Sequence, residues 1–246
     1  MLCGLLFAHV SGAAAPVQFD HVWIVTAPHA PERKLLEDAG FTVAAQLNTH
    51  EGQGTASVTI EFLNGYLELM WLDESVPGTP VVVEKFRNRS QWRTSGWAPI
   101  GIALHRTGKS DEALPWPSWK IPRADWLREG TAIEMLTPRE NPKAVSVFVE
   151  PSYLAVDEAR NRATAAGASP EAKDFKHANG THRITAVRVI APDAKGIEGL
   201  PRDDLHRLGI CDFKVGEQWQ VELTLDGGLA KKERDLRPGL PLVIHY

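Results

Sequence analysis

The feature that most constrains this chain is a strand, a helix and three further strands compressed into residues 18–73. Phe19 to Thr26 is dense in β-branched and aromatic residues and stops at Ala-Pro, which predicts a strand. Ala30 to Ala39 carries Leu35, Leu36 and Ala39 among charges, opens near Pro31 and is followed by Gly40, the pattern of a short helix. Phe41 to Leu47 predicts a second strand, and Ala56 to Leu63 alternates into a third. Asn64-Gly65 is a type I′ turn signal that folds the third strand back onto Tyr66 to Leu72. The order β, α, β, β, β makes a compact module.

Internal repeats bear on the topology. The run His21 to Pro28 is echoed by Thr185 to Pro192, and Leu67 to Asp73 by Val221 to Asp226, in the same order, with a helix-like Leu200 to Leu208 between them. A C-terminal repeat over 183–246 is expected on this basis. The middle, 97–152, predicts a second, distorted module. Pro99 to His105 and Ala144 to Glu150 are strands and Thr131 to Leu136 is another, while Pro115 to Pro122 is too rich in Pro and Trp for a helix. Residues 153–182 hold an Ala-rich helix, Asp157 to Ala166, and then a polar linker. The expected fold class is α+β, with repeated βαβββ modules forming an open, mostly antiparallel curved sheet.

A net charge of −4 and a pI near 6.1 give no general attraction to phosphate backbones or anionic lipid, so nucleic acid is not an expected partner. Of the two cysteines, Cys3 and Cys211, neither sits in a CxxC pair, which excludes a thiolate zinc site or a redox dithiol. Cys211 reads as an inert buried thiol, and the eight tryptophans as core more readily than as pocket lining. Residues 1–17 begin with an apolar run ending in small residues but lack a basic start. A cleaved leader, a ragged start and a misassigned initiation codon all stay open, and with them cytoplasmic or exported localisation. No stretch is long and apolar enough for a membrane span. The chain has no nucleophile elbow, P-loop, G-x-G-x-x-G after a strand or H-E-x-x-H.

A strand opening Asp20-His21, a Gly-rich His50-Glu-Gly-Gln-Gly-Thr55 loop, a final strand reading Asn64-Gly-Tyr-Leu-Glu-Leu-Met-Trp71, and His177-Ala-Asn-Gly180 before a later strand together resemble the glyoxalase-like domain family of the vicinal-oxygen-chelate superfamily. The resemblance covers most of Phe19 to Tyr246. It implies two paired modules around a divalent metal such as Zn, Ni, Fe or Mn, with His21 and Glu68 as metal ligands. Glu150 or Glu222 would complete the site or act as catalytic base. Imidazole and carboxylate donors suit such metals, which act as Lewis acids on a bound oxygen. The C-terminal repeat departs from the pattern: Thr185 stands where His21 does, although Glu222 matches Glu68. In the middle module the place falls near Ile100 or Gly101.

Two functions follow. One is a metal-dependent lyase, isomerase or dioxygenase acting on a small oxygenated substrate. The other is a non-catalytic module that sequesters a small molecule on the same sheet. Asp20-His21 also reads as a local hydrogen-bonding pair at a strand start, and Glu68 as a solvated charge. His50 and His105 read as surface or strand-end residues, and the Gly-rich loop as a plain turn or an anion cradle. The expected partner is a small molecule, and a homodimer stays open.

Overall fold

A computed structural model describes residues 15–108, 112–121, 127–167 and 169–246. The apolar start, for which a cleaved leader is one of three readings, lies outside the described residues up to residue 14, Cys3 included.

The first module is β1 (Val17–Val25), α1 (Arg33–Asp38), β2 (Asn48–His50), β3 (Thr55–Phe62) and β4 (Gly65–Leu72). The strand expected over Phe41 to Leu47 is instead irregular chain that meets β3 through Ala44 N–H to the Thr59 carbonyl and through Phe41 edge-on to Phe62, and the ladder begins at Asn48. The hairpin turn also differs from expectation. Its two linking residues are Leu63 and Asn64, neither at positive φ, and Gly65 already pairs with Phe62. Gly65 is required by space: a Cβ there would lie 2.5 Å from the Asp20 carbonyl oxygen. The Asn64 side chain meanwhile bonds the backbone of Ile184 in both directions, at 2.7 and 3.0 Å, fixing the later strands to this turn.

Two helices that the sequence pattern did not announce follow, α2 (Pro80–Ser90) and α3 (Trp92–Ser95). The run Val81-Val-Val83 hides α2, because β-branched residues mimic a strand; Pro80 in its first turn starts it. The second module is β5 (Ile100–Arg106), β6 (Trp119–Lys120), β7 (Glu134–Met135) and β8 (Ser146–Glu150). The strand expected over Thr131 to Leu136 is thus reduced to two residues. Helix α4 (Glu158–Ala166) is capped by the Asp157 side chain, and the segment read as a polar linker is tied to the first module through buried His177, which bonds the backbone of Thr42 and Glu61. The C-terminal elements are β9 (Ile184–Ala191), α5 (Arg202–Arg207), β10 (Asp212–Val215), β11 (Gln220–Leu225), β12 (Glu233–Asp235) and β13 (Leu242–His245).

Eight strands form one sheet in the order β2-β3-β4-β1-β5-β8-β7-β6, so the middle module is the partner of the first. β1 runs antiparallel to β5, while β1 with β4 and β5 with β8 are parallel. The remaining five form a second sheet, β10-β9-β11-β13-β12. Its pairings repeat those of β4-β1-β5-β8-β7 strand for strand, which places β11 in the role of β5 and not of β4. The two sheets pack face to face. Val22, Ile24, Leu67, Leu69, Ile102 and Val147 on the first meet Val187, Val189, Val221, Leu223 and Ile244 on the second in one apolar cluster. That burial leaves the alternate residues of each inner strand, by the period of two, on the opposite face.

Helix α2 lies against that opposite face. Its Phe86 packs on Trp23, and buried Arg89 donates to the carbonyls of Ala98, Pro142 and Ala144 while standing over the indoles of Trp23 and Trp97. Gly101 lets Trp23 lie flat on the sheet, since a Cβ at residue 101 would fall 2.1 Å from Trp23 Cε2.

Candidate active site

The register places functional side chains in rows across the face turned away from the second sheet. Tyr66, His21, Ala103 and Phe148 are cross-strand neighbours on β4, β1, β5 and β8. Glu68 stands in the next row, beside Trp23, and Glu150 in the row on the other side, beside His105. Glu68 and Glu150 thus flank His21 from opposite modules.

Asp20 enters this face because β1 is irregular between Phe19 and His21, where one residue escapes the ladder. Its carboxylate accepts from three sides: His21 Nδ1 at 2.8 Å, His105 Nδ1 at 2.9 Å and the Val156 N–H at 2.9 Å. With Nδ1 given to Asp20, the His21 ring presents Nε2 to Glu68 Oε2 at 3.7 Å. Tyr66 stacks on the imidazole at 4.2 Å between centroids and Phe148 meets it edge-on. His50 approaches the other oxygen of Glu68, Nε2 to Oε1 3.6 Å, and its Nδ1 lies 3.0 Å from Thr55 Oγ1.

Almost all of this is buried: Asp20, His21, Glu68 and His105 are each 6% exposed or less. Burial alone would push the Asp20 carboxyl up, but the hydrogen bonds from His105 and His21 hold it well below the usual carboxylate range. Burial would likewise lower the His21 imidazolium, yet the hydrogen bond and charge of Asp20, with Glu68 and Glu150 behind it, raise it to about 9. Burial raises the Glu150 carboxyl to about 7, with Asp20 and Glu68 adding to the rise and His21 opposing it. Asp20, His21 and Glu150 each offer a donor atom within 4.8 Å of the others'.

The structure therefore brings together His21, Glu68 and Glu150 among the residues the sequence singled out, and does not bring Glu222 to them. Glu222 stands on β11 in the second sheet, where Arg188 donates to it at 2.7 Å and Gln220 at 3.0 Å. Its likeness to Glu68 came from matching apolar alternation, whereas β11 is the counterpart of β5. Asp20-His21 does form the local pair foreseen for it. His50 and His105, read as surface or strand-end residues, belong to the cluster. The signal for His105 was its spacing of two from the residue opposite His21. The Gly-rich loop is a plain turn: Gly52 N–H bonds the Pro77 carbonyl, and those of Gln53 and Gly54 bond the His50 carbonyl. Two clefts lie away from this cluster. One of about 490 Å³ is bounded by Gly40, Asn179, Arg234 and Tyr246, and none of its lining residues belongs to the His21 cluster.

A family model described as a glyoxalase-like domain matches residues 19–200, a span that includes the eight-stranded sheet from Phe19 of β1 onward. The chain belongs to the glyoxalase-like domain family. This family lies in the vicinal-oxygen-chelate superfamily, and its members often bind divalent metals and small molecules. Within this glyoxalase-like chain the matched span contains His21, Glu68 and Glu150 and ends before Glu222. A search of curated proteins finds no match. Among solved structures the glyoxalase-like chain is similar to a hypothetical protein from Staphylococcus aureus, at 11% identity and a TM-score of 0.45, over 93% of this chain and 98% of that one. Among the described residues no helix is long and apolar enough to cross a membrane.

Proposed function

We propose that this glyoxalase-like protein is a metal-dependent lyase or isomerase that moves a proton beside a carbonyl of a small oxygenated substrate. His21 and Glu68 would hold the divalent metal (Zn, Ni, Fe or Mn), with Glu150 as the base. The observation that carries the reading is the His21 imidazole enclosed by three carboxylates on a single sheet face, the buried Asp20 and Glu68 and the half-buried Glu150. Buried anions in excess of cations are costly unless something positive joins them, and this donor set is of the kind that divalent transition metals accept.

Asp20 is the positioning residue. Its hydrogen bond to Nδ1 selects the tautomer whose Nε2 lone pair faces Glu68, as outer-shell carboxylates do for metal-bound imidazoles. When bound, the metal supplies Lewis acidity to an oxygen of the substrate. Glu150 takes a proton from the carbon next to the carbonyl and returns it, a role that suits a carboxyl poised near 7. Tyr66 and Phe148 hold the imidazole plane and exclude water from it. Dioxygenase chemistry, which uses two imidazoles with one carboxylate on the metal, would require His50, whose Nε2 lies 3.6 Å from Glu68 Oε1, to join His21 and Glu68.

A second reading, a binding module without chemistry, draws on Ala103: the register sets this methyl group, not Ile100 or Gly101 as expected from the sequence and not an imidazole, opposite His21 on the second module. Solvent deuterium exchange separates the two. A panel of α-hydroxycarbonyl and α-dicarbonyl compounds is incubated in deuterated buffer with the metal-loaded protein. Incorporation that is lost in Glu150→Gln supports the enzyme. Saturable binding without incorporation for any compound favours the module.

A further inference from the structure

The row that contains His21 continues beyond Phe148. Phe148 pairs with Met135 on β7, and Met135 with Trp119 on β6, so Trp119 shares the His21 face at its far edge. Trp119, Met135 and Phe148 are half-buried, while Val147 and Val149 beside them are fully buried in the core. A half-buried apolar strip therefore runs from Phe148, whose ring meets His21 edge-on, to Trp119, about 10 Å along the sheet at ordinary strand spacing.

Cations gather at the end of that strip. The Arg139 guanidinium stands over the Trp119 ring at 4.4 Å and the Lys85 ammonium at 5.7 Å. The indole is fixed by its own N–H, which donates to the Thr137 carbonyl at 2.8 Å. Arg89, one helical turn after Lys85 on α2, adds a buried charge whose bonds go only to carbonyls. Among the described residues none of the three has a carboxylate partner, although this chain carries more acidic than basic residues and pairs most of its other arginines. Burial first, then Arg89 and Arg139, lowers the Lys85 ammonium, which is what mutual repulsion without a counter-ion does. Cation stacking on an indole explains where the side chains rest, but not why no acid accompanies them.

We propose that Lys85, Arg139 and Trp119 form an anion subsite, and that the site face takes an elongated organic acid whose charged end rests here while its apolar middle lies on Met135 and Phe148. The reactive end would reach His21 and Glu68. That last element rests on the proposed function; the anion subsite does not. The charged end is a carboxylate or a phosphate monoester, and both suit paired Lys and Arg donors.

Titration calorimetry with decanoate, decyl phosphate and decanol at matched ionic strength tests the subsite. Saturable binding of at least one of the anions, tighter than decanol, is expected, and the tighter of the two identifies the charged group. Lys85→Met, which keeps the packing on Trp119, and Arg139→Gln should each weaken anion binding roughly tenfold or more, the loss of one charge-assisted hydrogen bond. Decanol binding should not change. Anions that bind no better than decanol, or variants that bind them as wild type does, would overturn the proposal. Repeating the titration with His21→Ala keeps the two ideas apart: anion binding should survive there even if no metal binds to the wild type.

Discussion

Asp20 joins two histidines from paired modules, its Oδ1 2.8 Å from His21 Nδ1 and its Oδ2 2.9 Å from His105 Nδ1. The carboxylate is buried, reaches the face only through the irregularity in β1, and leaves His21 Nε2 as the ring atom directed at Glu68. Replacing Asp20 by Asn keeps the shape and removes the charge. Asp20→Asn should lower metal affinity by about 10–100-fold and bring the His21 imidazolium down from about 9. Competition against a chelating dye reads the first, and histidine NMR of the metal-free protein the second.

Glu150 gives a pH dependence with a definite sign. Burial raises its carboxyl to about 7, so in metal-free protein it is protonated below that value and ionised above it. A base must be ionised, so proton abstraction should rise with pH through this region, and a bound cation should shift the rise to lower pH. Difference infrared spectroscopy of wild type against Glu150→Gln follows the carboxyl directly. The variant should lack the titrating band and the ascending limb of the rate profile.

Legibility in the sequence divides along physical lines. The first module was readable because strand alternation, the helix before Gly40 and the hairpin at Asn64 each have local causes. His21, Glu68 and Glu150 came from the resemblance to the glyoxalase-like family, laid onto strands that the pattern locates. Which module completes the site was not readable, since apolar alternation is the same in β4, β5 and β11 and says nothing about parallel or antiparallel pairing. Glu222 was misplaced for that reason. His50 and His105 were passed over because only the register of β2 on β3 and of β5 on β1 brings them inward. Helix α2 was hidden by its valines. Asp20 was noticed, but the irregular β1 pairing that turns it toward both histidines is a property of the assembled sheet.

Gly101 is a packing requirement. A methyl group there would meet the Trp23 indole at 2.1 Å, and Trp23 is itself held between the sheet, Phe86 and Arg89. Gly101→Ala should destabilise the fold by about 1–3 kcal/mol or more, the range for overpacked cores. Chemical denaturation measures the loss.

His177 should make stability fall in mild acid. Its ring accepts from the Thr42 N–H through Nδ1 and donates to the Glu61 carbonyl through Nε2, an arrangement that only the neutral ring can make. Burial lowers its pKa below the ordinary 6.5. The unfolded chain therefore takes up the proton first, so this contribution is complete above pH 6.5 and is lost as pH falls below it toward the folded value. Melting temperatures of wild type and His177→Gln between pH 5 and 7.5 test this: the variant should be less stable at neutral pH and show a shallower slope.

Metal content is the most direct measurement. Protein purified without chelators, and protein dialysed against Zn, Ni, Mn or Fe(II), should contain close to one equivalent of one of these metals by elemental analysis. His21→Ala and Glu68→Gln should each lose it while retaining the wild-type circular dichroism spectrum. Absence of bound metal from the wild type under every loading condition, or equal content in the folded variants, would contradict a metal centre at His21 and Glu68.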